Sequence, residues 1–98
     1  MEIEKMLTVS VAHITQETAK RLDAATNETS GVVEYLVAYR KNDYGWFVYA
    51  DEDYVRQFKR DIPADLYALM MLAAKNDCTW LCLDCDGDEV DGLPTYDW

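Results

Sequence analysis

From Asp77 to Trp98 the chain carries seven carboxylates (Asp77, Asp84, Asp86, Asp88, Glu89, Asp91 and Asp97) and no Lys or Arg. A run of like charge of this kind stays in water unless something else draws it into a fold. The same stretch holds Trp80, Leu81, Leu83, Val90, Leu93, Tyr96 and Trp98, and that much apolar and aromatic surface requires burial. This end of the chain must therefore be ordered, with its large side chains turned inward and its acids displayed.

The remainder can support such an end. Half of the residues are apolar and 12% are aromatic, so a core is available despite a formal charge of −10 and a pI near 4.3. Ninety-eight residues suit one domain spanning 1–98, which buries roughly two thirds of the surface that the unfolded chain exposes. The charge argues against direct binding to nucleic acid or to an anionic membrane, whose phosphates are held by Lys and Arg. Nine bases are present, in runs no longer than two. The favoured partner is a basic protein surface. The apolar run Leu69 to Ala74 is too short to span a bilayer, and Met1-Glu2-Ile3-Glu4-Lys5 lacks the basic start of a signal peptide. Three cysteines without such a signal read as reduced thiols, and the expected location is the cytoplasm.

Residues Met6 to Ala12 alternate as a half-buried strand does. Thr15 then suits a helix cap, with Ile14 placed to staple against Ala19, and the helix should run to about Asn27. Gly31 breaks it. Val32 to Arg40 and Tyr44 to Ala50 read as two strands of a hairpin turning at Asn42-Asp43. A helical turn through Phe58 follows Asp51-Glu52-Asp53. Pro63 suits the first turn of a second long helix, in which Leu66, Leu69, Met70 and Ala73 form a core stripe. Thr79 to Cys85 returns to a strand, and Asp86-Gly87 is a pair that a tight type I′ hairpin uses, making Asp88 to Asp91 a short return strand. The order predicts an α+β domain: a ferredoxin-like βαββαβ sheet with two helices on one face, plus a short C-terminal β-hairpin arm. In that arrangement the last main strand runs antiparallel beside the first and brings Cys78 near His13.

Several chemical readings are weak. Asp84, Asp86 and Asp88 have the spacing of a calcium loop, but Glu89 stands where that loop needs Gly and Thr95 where it needs Glu. Cys78, Cys82, Cys85 and His13 could supply zinc or thiol chemistry, yet Cys82 and Cys85 face opposite sides of a strand and no second Cys-x-x-Cys exists. No phosphate loop or nucleophile motif is present. No catalytic residue, cofactor or metal is therefore assigned. The hairpin is rich in rings, with Tyr35, Tyr39, Tyr44, Trp46, Phe47 and Tyr49 within fifteen residues. One of its faces should meet the helices and leave aromatics for an exposed patch, suited to protein binding or a homodimer.

Three segments carry a likeness: Val9 to Ala19, Tyr44 to Tyr49, and Cys78 to Gly87 running into Asp91-Gly92-Leu93-Pro94-Thr95-Tyr96-Asp97-Trp98. Together they resemble a family of small acidic bacterial proteins of unknown function found on plasmids, prophages and other mobile elements. The resemblance implies a genomic setting in which small acidic inhibitors of host defence occur, of the anti-CRISPR or anti-restriction type. The expected function is a non-catalytic module that docks on a basic nucleic-acid-binding surface of a nuclease. Asp84, Asp86, Asp88, Glu89 and Asp91, with Asp51, Glu52 and Asp53, would supply the field, and Trp46 and Trp98 the anchors.

Overall fold

A computed structural model describes residues 1–26 and 36–98. The elements are β1 (Met6–Ser10), a 3₁₀ turn (Val11–His13), α1 (Gln16–Thr26), β2 (Ala38–Lys41), β3 (Gly45–Tyr49), α2 (Glu52–Gln57), α3 (Ala64–Lys75) and β4 (Trp80–Asp84). They form a small α+β structure around a four-stranded mixed sheet of order β1-β4-β3-β2. The expected strand over Val32–Tyr35, the helix end at Asn27 and the break at Gly31 lie outside the described residues.

The sheet has two unlike faces because side chains alternate along each strand. Register aligns Val9, Leu83 and Trp46 in one row, and Leu7, Leu81, Val48 and Ala38 in the next. This face is covered by helices: Ala19 and Leu22 of α1, Val55 of α2, and Leu66, Leu69, Met70 and Ala73 of α3 join it in one core. The stripe expected on α3 is therefore the buried one. Thr15 caps α1 as expected, accepting from the Thr18 N–H at 3.1 Å. Asp65, in the first turn of α3, ties the two helices together. Its carboxylate accepts from the Thr15 N–H at 2.9 Å and from the Thr18 hydroxyl at 2.8 Å, satisfying polar groups at the start of α1 that its own helix leaves without partners.

The expected ferredoxin-like order is not met. β4 lies beside β1 but parallel to it, and antiparallel to β3. The chain leaves β3 at Tyr49 and enters β4 at Trp80, its register partner, so α2 and α3 together return it to the end from which it departed. A single helical crossover would have delivered it to the other end. The C-terminal hairpin arm is absent for a related reason: β4 is central and both its edges are already paired, which leaves no free edge for a return strand. The type I′ geometry is absent too, since neither Asp86 nor Gly87 has positive φ. Gly87 is required by close approach instead: a Cβ there would stand 2.5 Å from the Val9 carbonyl oxygen. The β2–β3 hairpin turns at Asn42 and Asp43 as expected, with the Tyr44 N–H donating to the Lys41 carbonyl at 2.9 Å.

Candidate functional site

Beyond Gly87 the chain runs as a strap, with a turn closed by the Leu93 N–H on the Val90 carbonyl, across the end of β1 and the 3₁₀ turn. Its backbone is held at intervals. The Ser10 N–H donates to the Asp88 carbonyl at 3.0 Å, and the Tyr96 N–H to the Ala12 carbonyl at 2.8 Å. The Trp98 indole N–H donates to the Ile14 carbonyl at 2.8 Å. His13, only 3% exposed, clamps the middle. The Val90 N–H lies 2.8 Å from Nε2, and the Pro94 carbonyl oxygen 2.8 Å from Nδ1. An amide N–H can only donate, so Nε2 is the acceptor and the ring proton sits on Nδ1, facing Pro94. Val90 and Leu93 pack against the core beneath. This clamp assigns a role to His13 that its isolated position in the sequence does not reveal.

The strap divides the residues expected to form one acidic surface. Asp86, Asp88, Glu89 and Asp91 are exposed on it, and none of them is in an ion pair among the described residues. Asp84, the last residue of β4, has a side chain 13% exposed and forms an ion pair with Lys41. That hydrogen bond, with a second from the Asp86 N–H, holds the Asp84 carboxyl below the usual carboxylate range, and the same contact raises Lys41. Asp51, Glu52 and Asp53 follow the Tyr49 end of β3, whereas Asp84 pairs with Gly45 at the other end, so roughly 13 Å of strand separates the two groups. Asp51 is the N-cap of α2 and accepts from the Tyr54 N–H, while Glu52 pairs with Arg56 at 2.9 Å.

Trp46, expected as an anchor, is 6% exposed, its indole N–H donates to Asp23 at 3.1 Å, and the Arg40 guanidinium lies 4.9 Å over its ring. Trp98 is 54% exposed and remains available to a partner, although its N–H serves the strap. The zinc or thiol set is dispersed. Parallel pairing of β1 with β4 places Cys78, before Trp80, at one end of the sheet and His13, beyond Ser10, at the other. Both ring nitrogens of His13 are engaged. Among the described residues, the one group whose ligand atoms converge is Asp84, Cys85 and Asp86, within 4.8 Å. There the Asp84 oxygens already accept from Lys41 and from the Asp86 N–H.

On the sheet face away from the helices, Met6, Thr8 and Tyr39 are exposed among the described residues. Met6, Tyr39, Phe47 and Trp80, with Glu4 and Lys5, line a shallow depression of about 430 Å³. The alternation in Tyr39 and Phe47 signalled an aromatic face, but the strand order that brings Trp80 into it was not readable from spacing.

These features define a small α+β domain with a mixed sheet covered by helices on one side and a C-terminal strap across one end. Among the described residues no helix is long and apolar enough to cross a membrane. The chain belongs to a family of unknown function: the C-terminal domain of the DUF5983 family matches residues 6–98. Comparison with curated proteins and with solved structures found no match.

Proposed function

We propose that this domain is a non-catalytic binding module whose strap docks on a basic protein surface. The observation that carries the reading is the state of the strap: four exposed carboxylates, Asp86, Asp88, Glu89 and Asp91, none of them in an ion pair among the described residues, on a backbone fixed by His13, Ser10, Ala12 and Ile14. Anions held in place need little ordering on association, and their summed field steers an oppositely charged partner. A basic nucleic-acid-binding surface of a nuclease is the partner class this favours. The resemblance to mobile-element proteins supports a counter-defence role, in which the strap occupies the surface that would otherwise hold phosphates.

The test is capture of host proteins at low and high salt by the native chain and by the Asp86→Lys/Asp88→Lys/Glu89→Lys variant, followed by a nuclease assay on what is captured. The expected outcome is a basic nuclease that the native chain inhibits, that salt releases and that the variant fails to hold. Screening shortens from about 10 Å at 0.1 M to about 3 Å at 1 M salt, so the loss should be steep. Capture that survives both salt and charge reversal would refute the electrostatic docking.

A further inference from the structure

On the open sheet face the rings form a chain. Tyr39 lies 6.2 Å from Trp80, Trp80 lies 5.4 Å from Tyr49, and Tyr49 lies 5.6 Å from Tyr54 of α2. Tyr39 is 58% exposed and Met6 45%. At the rim, the Glu4 carboxylate accepts from the Trp80 indole N–H at 3.3 Å and from the Thr79 hydroxyl at 3.4 Å. We propose that the depression between Glu4, Tyr39, Phe47 and Trp80 is a pocket for an arginine side chain of a basic protein partner, its guanidinium stacked on the rings and paired with Glu4.

The fold contains a filled version of this arrangement. On the helix-covered side, Asp23 accepts both from the Trp46 indole N–H at 3.1 Å and from Arg40 at 3.2 Å, while the Arg40 guanidinium lies 4.9 Å over the Trp46 ring. Carboxylate, indole and guanidinium form one three-part unit there. On the open side the carboxylate and the indole are set in the same relation, and no cation among the described residues lies over Trp80. Lys5 borders the depression but its ammonium donates to the Asn76 carbonyl at 3.1 Å, and Lys41, whose ammonium lies 5.8 Å from the centre of the Phe47 ring, is held by Asp84 and does not lie over Trp80. The surroundings are anionic as well: burial first, then the Asp51, Glu4 and Glu2 carboxylates, raises the Tyr49 phenol. A planar cation suits a planar ring and a two-oxygen acceptor better than an ammonium does.

Area and charge disfavour a second copy of the chain as the occupant. Four strands about 4.8 Å apart and four or five residues long make a face of about 300 Å², against about 800 Å² per partner in a stable interface. Two chains of charge −10 also repel. The pocket rests on the reading of the domain as a module for basic partners, and its test separates the two.

The probe is an octa-arginine peptide, with octa-lysine as the equal-charge control, titrated into the full chain while the three indole N–H signals are followed by NMR. The Trp80 signal should move with octa-arginine, at an affinity about fivefold tighter than octa-lysine reaches. Glu4→Gln and Tyr39→Ala, both at exposed positions, should each weaken octa-arginine about fivefold without altering the rest of the spectrum. Shifts confined to residues 86–91 would overturn the pocket and leave the strap as a docking surface. Equal effects of the two peptides on Trp80, or unchanged affinity in both variants, would also overturn the pocket. No binding anywhere would overturn both readings.

Discussion

Replacing His13 with Ala should release the strap. The imidazole provides two hydrogen bonds to it, to the Pro94 carbonyl and from the Val90 N–H, each 2.8 Å long. Each contributes about 1 kcal/mol net, and a partly buried amide left without an acceptor costs about 1–3 kcal/mol more. The loss should therefore reach about 3–5 kcal/mol, up to the point at which undocking the strap and wetting Val90 becomes the cheaper response. Urea denaturation gives the total, and amide exchange at Val90 and Tyr96 shows whether it is local. Two further variants divide the effect. His13→Asn places an amide near Nδ1 and can keep the bond to Pro94, whereas His13→Gln can bring an oxygen to Val90, so each should recover part of the loss. Binding to a basic partner should weaken in His13→Ala although every carboxylate is still present. Stability within about 0.5 kcal/mol of the native chain, with Val90 exchange unchanged, would refute the clamp.

Gly45→Ala should be among the most damaging single-methyl additions, because its Cβ would fall 1.7 Å from the Leu83 carbonyl oxygen, a backbone atom that cannot swing away. Separating β3 from β4 to admit it should cost about 3 kcal/mol or more, read as a large drop in Tm. The Lys41–Asp84 pair should give the protein an acid-sensitive and an alkali-sensitive flank. Asp84 is lowered in the folded state, first by the Lys41 hydrogen bond and then by the Asp86 N–H, so its contribution is complete above the ordinary carboxylate range and is lost as pH falls through the lowered folded value. Lys41 is raised, so its contribution is complete below the ordinary lysine value and fades as pH rises through the raised one. Both groups touch solvent, which screens the pair. Lys41→Met should flatten both flanks in a pH series of urea midpoints, and a series identical to that of the native chain would show that the pair contributes nothing.

What could be read from the sequence was local. The α3 stripe, the Thr15 cap, the hairpin at Asn42-Asp43 and the turn through α2 each depend on residues within a few positions of one another, and each is found. Strand order depends on how connections return, and the spacing of apolar residues does not encode that. One sign was present: Trp80-Leu81-Cys82-Leu83 is an uninterrupted apolar run, as a central strand tends to be, while β1 interleaves Thr8 and Ser10 as an edge strand does. At Asp86-Gly87 the glycine meets a steric requirement against Val9 and not a φ requirement, and that close approach is not visible from neighbouring residues. The acidic surface was visible as composition but not as position. Asp84 and Glu52 gained basic partners that lie far away or one helical turn on, and Trp46 was drawn inside by Asp23 and Arg40.

The central place of β4 accounts for both candidate surfaces. With β1 on one edge and β3 on the other, the chain leaving Asp84 cannot extend the sheet. It crosses the end of β1 instead, where His13 offers one acceptor and one donor to catch it. The same register puts Trp80 between Met6 and Tyr49 at the start of β4, on the side that α1 and α3 leave bare. The depression thus lies on the open face at the start of β4, whereas the strap leaves the other end of that strand and runs beside Ala68, Met71 and Leu72 of α3 on the helix-covered side. A small cation or a single basic side chain can reach one of them only. Engaging both requires a partner that presents positive charge to two separate faces of the domain.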